Sequence, residues 1–235
     1  MKINKTQLSP ETTFERHVFH RDQFAHYLRW SFVLNQCKFN KEKILDLGCG
    51  TGSLAEVLYR NRFKPVYYHG VDIRKKTIES NKLKKFNFEV DWSCVNMIID
   101  NMSFLKDDYT KICCFEVVEH FEQEYLEKFL LKVKELMNEN TLFYLSTPCF
   151  NGKKAQNHIQ EYTYAQMKEM LSKHFTIKEH YGTFASKKDV LEVMYEGERS
   201  LYEELSNYYD SNLLSVIFAP FHPEKSRNCV WVLKK

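Results

Sequence analysis

The stretch KILDLGCGTGSLAEVLY, from Lys43 to Tyr59, decides the fold of this chain. It begins as an apolar run of strand length, passes through Gly48, Gly50 and Gly52, and continues with apolar residues at helical spacing. A strand, a glycine turn and a helix N-terminus can direct backbone N–H groups outward, and glycine lets a ligand approach the backbone. The stretch therefore predicts a ligand-binding turn at the carboxyl end of a strand.

Strands and helices are predicted to alternate outward from this stretch. The predicted strands are 43–48, 66–73, 88–95, 111–117, 141–148, 176–182 and 229–235. The predicted helices between them are 53–60, 75–84, 123–137 and 164–173, the last of which Thr163 would cap. Such alternation predicts an α/β fold, a mainly parallel sheet with helices on both faces.

An N-terminal helix is predicted over residues 12–38, capped by Thr12 or Thr13. Its basic residues favour either a solvated outer face or a cap that closes over an anionic ligand; they are Arg16, His17, His20, Arg21, His26 and Arg29.

Residues 183–228 interrupt the alternation near the end of the chain. They predict one or two helices and then an irregular aromatic segment, which would form a lid or brace the sheet edge. We expect a single domain made of four parts, which are a cap (1–40), a core (41–182), an insert (183–228) and the last strand (229–235).

Composition limits the class of protein. A chain of 235 residues, 43% of them hydrophobic, suits one domain with a full core. The net charge of +3 permits a nucleic-acid partner but does not indicate one. Seven cysteines without framework spacing predict reduced thiols in a cytoplasmic protein. The apolar runs are too short for a membrane span, so we expect no membrane partner. We also expect a monomer or weak dimer.

The residues around the glycines do not fit a dinucleotide site. Their spacing is D-L-G-C-G-T-G rather than G-x-G-x-x-G. Asp46 stands just before the glycines, where a carboxylate would repel a pyrophosphate but could bind a cationic amino acid. Asp72 ends the next predicted strand, 26 residues later. An acid there can accept two hydrogen bonds from a ribose diol.

The motifs LDLGCGTG and GVDI resemble the first two motifs of the class I S-adenosylmethionine-dependent methyltransferases. The resemblance covers roughly residues 40–182 and the last strand. It implies an enzyme with a Rossmann-like, seven-stranded sheet whose last strand is antiparallel. By this resemblance Asp46 faces the cofactor's ammonium group, Asp72 the ribose and Asn96 the adenine amine. The cofactor-binding residues that it implies are Asp46, Gly48, Cys49, Gly50, Gly52, Asp72, Ile73, Asn96, Met97 and Glu116.

A second motif, EVVEH, follows the fourth predicted strand. Its residues Glu116, Glu119 and His120 stand at i, i+3 and i+4, so they would point the same way on a helical turn. His158 follows later, in NHIQEYT. Two carboxylates and two imidazoles can bind Mg²⁺ or Mn²⁺.

This constellation resembles the metal site of the small-RNA 3′-terminal 2′-O-methyltransferases, where the metal holds the terminal ribose hydroxyls. It is also similar to metal-free O-methyltransferases of quinone biosynthesis and to some sugar methyltransferases. Three interpretations stay open. They are a metal site formed by Glu116, Glu119, His120 and His158, a metal-free catalytic role for His120 or His158 with Glu119 as a further catalytic residue, and a purely structural role.

The predicted function is methyl transfer from S-adenosylmethionine to an oxygen of a small-molecule or sugar-type acceptor. The Asp/Asn-Pro-Pro-Tyr/Phe motif of DNA N-methyltransferases is absent after the fourth strand. One alternative is a metal-dependent RNA ribose 2′-O-methyltransferase. Another is a non-catalytic partner subunit that only binds S-adenosylmethionine. Lys225, Arg227 and Asn228, just before the last strand, could bind an anionic substrate.

Overall fold

A computed structural model describes residues 20–105 and 108–235 of the chain. Within them, one sheet has the strand order β3-β2-β1-β4-β5-β7-β6. The strands are β1 Lys43–Leu47, β2 Tyr67–Asp72, β3 Glu89–Cys94, β4 Lys111–Phe115, β5 Leu142–Pro148, β6 Thr176–Phe184 and β7 Asn228–Lys234. Only β7 runs antiparallel to its neighbours, β5 and β6. The predicted mainly parallel, seven-stranded sheet with an antiparallel last strand is confirmed.

The helices of the described residues cover both faces of this sheet. They are α1 Arg21–Gln36, α2 Ser53–Arg60, α3 Lys75–Asn81, α4 Gln123–Leu136, α5 Tyr164–His174, α6 Lys187–Val193, α7 Glu196–Leu205 and α8 Ser211–Ile217. Short 3₁₀ turns lie at Val118–His120, Ala219–Phe221 and Pro223–Lys225. Thr163 and Gln166 form a capping box at the start of α5, as the sequence predicts.

Two apolar clusters, one on each face, hold the sheet between its helices. Leu45 and Leu47 of β1 belong to one cluster, with Phe129 of α4. Ile44 of β1 belongs to the other, with Leu58 of α2. Neighbouring strand residues point to opposite faces, so β1 is buried on both sides.

Helix α1 begins later than the sequence predicts. His20 has an extended backbone (φ −133°, ψ 135°), and its Nδ1 accepts a hydrogen bond from the Asp22 N–H at 3.3 Å. This residue, rather than a threonine, caps α1. A continuous helix over 12–38 is therefore wrong, because the helical backbone starts at Arg21. The other residues of this prediction, Thr12, Thr13, Arg16 and His17, lie outside the described residues.

The insert before β7 forms three helices, α6 to α8, instead of the one or two that the sequence predicts. Residues including Val190, Tyr202 and Leu214 bury an apolar cluster of their own. Helix α8 packs against α1 and β6, so the insert is joined to the cap helix.

Two expectations from composition can be compared with the structure. All seven cysteines are free thiols, as predicted. No helix among the described residues is both long enough and apolar enough to cross a membrane.

Candidate functional site

A cavity of about 840 Å³ opens at the carboxyl ends of β1, β2 and β4. This is the edge where open α/β sheets bind their ligands, and the volume lies within the usual range for small-molecule sites. Four residues of α1 also line this cavity, namely Ala25, His26, Arg29 and Trp30. That α1 acts as a cap over a bound ligand stays a prediction.

The three glycines of the turn all have a left-handed backbone, with φ of 77° at Gly48, 53° at Gly50 and 77° at Gly52. A Cβ atom at Gly48 would lie 2.3 Å from Val117 Cγ2, and one at Gly52 would lie 2.7 Å from Trp92 Cη2. Gly48 and Gly52 are thus required by backbone conformation and by packing against the protein's own side chains. That they also admit a ligand stays a prediction.

The backbone N–H groups of these glycines are also engaged within the protein. The Gly48 N–H donates to Val71 O at 2.7 Å, and the Gly52 N–H donates to Cys49 O at 2.9 Å. The Gly50 N–H donates to Asp72 Oδ2 at 2.9 Å. These N–H groups therefore do not point outward as predicted; they fix the turn and hold the Asp72 carboxylate against it.

Asp72 is buried at the end of β2 and lines the cavity. Its Oδ1 accepts from Arg74 N at 2.9 Å and from Arg74 Nε at 3.0 Å. Its Oδ2 accepts from the Gly50 N–H and from Arg74 Nη2 at 3.2 Å. A carboxylate offers about four lone-pair positions, so Asp72 is saturated while Arg74 lies over it.

Asp46 is the second buried acid of the cavity. Burial raises its pKa to about 7, a hydrogen bond from the Tyr68 hydroxyl opposes that rise, and the Asp72 charge adds to it. A cation placed beside Asp46 would favour its ionised form. The two acids lie at the same edge of the sheet, as their places near the carboxyl ends of β1 and β2 predict.

Asn96 and Met97 follow β3 and line the far end of the cavity, together with the exposed Ile73. Asn96 Oδ1 accepts from the Ile98 N–H at 3.0 Å, which leaves one lone pair of that oxygen for another donor. The Met97 side chain is buried. The structure thus brings every predicted cofactor-binding residue except Gly52 into the cavity lining.

Glu116 departs from the predicted arrangement. Its φ of 58° is left-handed, and the 3₁₀ turn begins only at Val118. Asn228 Nδ2 donates to both of its carboxylate oxygens at 2.8 Å, and Ser146 Oγ donates at 2.7 Å. Arg29 Nη1 lies 3.4 Å from Oε1. The prediction that Glu116 points the same way as Glu119 and His120 is wrong, because its backbone breaks the helical turn.

Glu119, His120 and His158 do come together. One ligand atom from each lies within 4.8 Å of the others, and Glu116 does not belong to this group. The His120 and His158 rings meet edge to face, 5.2 Å apart at their centroids. Glu119 is only 1% exposed, and burial, followed by the Glu116 charge, raises its pKa well above the usual value.

Hydrogen bonds fix which nitrogen of each imidazole carries the proton. His120 Nδ1 lies 3.0 Å from Asn157 O, which can only accept, so Nδ1 donates. His158 Nδ1 lies 2.6 Å from Glu161 Oε1. Burial would raise the Glu161 pKa, but hydrogen bonds from His158 and the Ala155 N–H hold that pKa below its usual value. In its neutral form each imidazole would therefore carry its proton on Nδ1 and offer a lone pair at Nε2.

Helix α1 supplies two site residues, His26 and Arg29, from the set of basic residues predicted to lie on it. Arg29 is 2% exposed, and besides Glu116 it contacts Asn228 Oδ1 at 3.3 Å. Arg29 Nη2 lies 2.8 Å from His26 Nδ1, so that nitrogen accepts. Arg29 is neither a solvated residue nor one free to clamp an anion, since a carboxylate already neutralises it. Of the predicted anion-binding residues, Asn228 reaches the site, whereas Lys225 pairs with Glu192 at 3.6 Å.

Sequence comparison gives a family and partial relatives. The model of a methyltransferase domain family matches residues 16–187. A ubiquinone biosynthesis O-methyltransferase of Pelagibacter ubique is 30% identical over 109 residues, which cover 45% of this chain and 41% of that protein. The chain spans between 39% and 52% of the length of the curated relatives it matches.

Solved structures share the fold. A TehB-like SAM-dependent methyltransferase from Corynebacterium glutamicum has a TM-score of 0.60 at 14% identity, covering 96% of this chain and 97% of that one. The small RNA methyltransferase HEN1 has a TM-score of 0.61 at 20% identity, covering 90% of this chain but 26% of that one. Since the family model spans most of the sequence and these structures share its architecture, the chain belongs to the methyltransferase domain family.

Proposed function

We propose that this chain is an S-adenosylmethionine-dependent enzyme that transfers a methyl group to an oxygen of a small-molecule or sugar-type acceptor. The family supports methyl transfer, and the ubiquinone biosynthesis O-methyltransferases among its relatives support an oxygen acceptor. One observation carries the proposal furthest. Two imidazoles, His120 and His158, line the same cavity as the two buried acids, and an oxygen holds Nδ1 of each ring.

The chemistry of the cavity fits the cofactor. Among the described residues no cation pairs with the buried Asp46, and an ammonium group would compensate its charge. Asp72 stands where an acid can hold a ribose diol, provided that the 60%-exposed Arg74 moves aside. Asn96 and Met97 would border the adenine. The remaining wall would be formed by Gly48, Cys49, Gly50, Ile73 and Glu116, with Gly52 behind the turn.

When bound, S-adenosylmethionine supplies an electrophilic methyl group on a sulfonium, which needs no further activation. The chain's own task is to hold the acceptor hydroxyl and to remove its proton. His158 Nε2 would take that proton while the hydroxyl oxygen forms its bond to carbon. Glu161 would stabilise the resulting imidazolium through Nδ1. Glu119, whose pKa burial raises well above its usual value, can in its protonated form donate a hydrogen bond to an oxygen beside it.

A second candidate is metal-dependent methylation of a ribose 2′-hydroxyl. The close grouping of Glu119, His120 and His158 favours it. Each histidine donates Nδ1–H to an oxygen and offers Nε2, as metal-binding histidines commonly do. These three residues would hold Mg²⁺ or Mn²⁺, which would lower the pKa of a bound hydroxyl. Glu116 would have to leave Asn228 and Arg29 to join them.

Calorimetric titration of Mn²⁺ and Mg²⁺ into protein saturated with S-adenosylhomocysteine separates the two candidates. The control is the double variant Glu119→Ala, His120→Ala. One stoichiometric site that disappears in the control would favour the ribose reaction. The absence of metal binding in the wild type would favour the metal-free reaction.

The reaction itself is tested by incubation with S-adenosylmethionine labelled on the methyl group. One arm offers a small-molecule cell extract and the other offers short RNA, with His158→Gln as the control in both. Label in an extract product that depends on His158 supports the proposal. Label in RNA alone supports the second candidate. Normal S-adenosylhomocysteine binding without transfer in either arm would support the non-catalytic partner subunit.

A further inference from the structure

Lys132 of α4 reaches across to the loop that follows β3. Its Nζ lies 3.3 Å from Met97 O, 2.8 Å from Ile98 O and 3.0 Å from Asp100 O. An ammonium group has three N–H donors and no acceptor, so all three are used within one loop. We call residues 96–100 the adenine-side loop, because Asn96 and Met97 belong to it.

The adenine-side loop is a tight turn with its own hydrogen bonds. The Asn96 N–H donates to Asp100 Oδ2 at 2.7 Å, and the Asp100 N–H donates to Asn96 O at 2.9 Å. Asn96 Oδ1 is taken by the Ile98 N–H. These bonds set the shape of the turn but leave three of its carbonyls, at Met97, Ile98 and Asp100, to converge on Lys132. Unpartnered carbonyls are costly, so the lysine completes the turn.

Side chains of this loop also pack toward α4. Met97 belongs to the apolar cluster that contains Phe129 of α4, and Ile98 packs against that cluster. The Ile99 side chain at the tip is 74% exposed, and a second cavity of about 480 Å³ is lined by residues 99–103 together with Lys132, Glu135 and Leu136. Lys132 therefore adds three hydrogen bonds to the apolar contacts between the loop and the helix. Met97 also lines the main cavity.

We infer that Lys132 is a positioning residue that holds Asn96 and Met97 in place for the adenine end of the cofactor. The inference rests on the proposed function, which gives those two residues their ligand. A loop that is already ordered loses less conformational entropy when a ligand binds. Without the lysine, the carbonyls would turn to water and the loop would have to be ordered during binding.

The test is calorimetric titration of S-adenosylhomocysteine into four proteins: wild type, Lys132→Met, Lys132→Arg and Lys128→Met. Methionine keeps the apolar stem of lysine and removes its donors. Lys128 lies one turn earlier on α4 and is exposed, so its variant is a matched control. We expect Lys132→Met to bind S-adenosylhomocysteine about tenfold more weakly. A loss of this size corresponds to the entropy cost of ordering the loop during binding. Lys132→Arg should recover part of that loss, and Lys128→Met should bind like the wild type.

Asn96→Ala, alone and with Lys132→Met, shows whether the lysine acts through the loop. If it does, adding Lys132→Met to the Asn96→Ala protein should weaken S-adenosylhomocysteine binding by less than about twofold. Equal affinity of Lys132→Met and wild type would overturn the inference, as would an equal loss in Lys128→Met. The inference would also be overturned if the affinity losses of Asn96→Ala and Lys132→Met multiply in the double variant. A wild type that does not bind at all would instead refute the proposed function, and this inference with it.

Discussion

His120 and His158 face each other edge to face, with ring planes at 82°, although they come from segments on either side of α4 and β5. Each ring is oriented by an oxygen at its Nδ1, the Asn157 carbonyl for His120 and the Glu161 carboxylate for His158. One ligand atom of each ring lies within 4.8 Å of a Glu119 carboxylate oxygen. Under the proposed function this group would remove a proton, and under the second candidate it would bind a metal, so several measurements test it.

The His158→Gln variant should lose methyl transfer without losing the cofactor. An amide cannot accept the proton, so we expect kcat to fall by about two orders of magnitude. This is the lower end of the range of rate losses that follow removal of a general base. Affinity for S-adenosylhomocysteine should stay within about twofold of wild type, because His158 lies outside the acids and glycines that hold it. Initial rates and calorimetry check the two expectations. An unchanged kcat would remove His158 from the mechanism.

Affinity for S-adenosylhomocysteine should depend on pH through Asp46. Burial raises the pKa of the free carboxyl to about 7, and a cationic ammonium binds its ionised form. Binding therefore releases a proton below pH 7, so affinity should rise about tenfold per pH unit up to 7 and then level off. Titrations between pH 5.5 and 8 measure this slope. Asp46→Asn should bind weakly with little slope, and a slope that survives in that variant would contradict the assignment.

Arg74 should compete with the cofactor ribose for Asp72. Its backbone N–H, Nε and Nη2 all occupy Asp72 oxygens, so its guanidinium has to move before a diol can bind. We expect Arg74→Met to bind S-adenosylhomocysteine about threefold more tightly, since a larger fraction of the protein is then ready to bind. The matched control is Lys75→Met at the next position, which should bind like the wild type. Weaker binding by Arg74→Met would show that the arginine holds the ligand instead.

The buried Arg29 and Glu116 should be coupled in stability. Removing one partner leaves the other charge in a largely buried place, and we expect Arg29→Met to lower the free energy of unfolding by about 2 kcal/mol. In Arg29→Met, Glu116→Gln no unpaired charge remains, so the double variant should lose less than the sum of the single variants. Urea unfolding at neutral pH measures all four proteins. Strict additivity would mean that the contact contributes nothing.

Periodicity and turn residues were enough to predict the sheet and most of its helices. Leu45, Leu47 and Ile44 alternate between the two faces, and this alternation is visible in the sequence. The acids near the carboxyl ends of β1 and β2 could also be placed, because parallel strands end at one edge of a sheet. These features depend on local pattern and on one topological rule.

The features that the sequence did not disclose depend on contacts between distant segments. The left-handed backbone of Glu116 goes with hydrogen bonds to Ser146 and Asn228, which lie on other strands. Arg29 looks like one more basic residue of α1 until Glu116 faces it. The inward use of the glycine N–H groups likewise requires Val71 and Asp72 of β2. None of these partners can be inferred from spacing along one segment.

The central claim is that this cavity binds S-adenosylmethionine through its two buried acids, and calorimetry with S-adenosylhomocysteine at pH 8 tests it most directly. The account predicts one site per chain in the wild type. It predicts at least about a tenfold loss in Asp72→Asn, because a neutral amide replaces the carboxylate that accepts from the ribose diol. Saturable binding that Asp72→Asn leaves unchanged, or no binding by a folded wild type, would contradict the account.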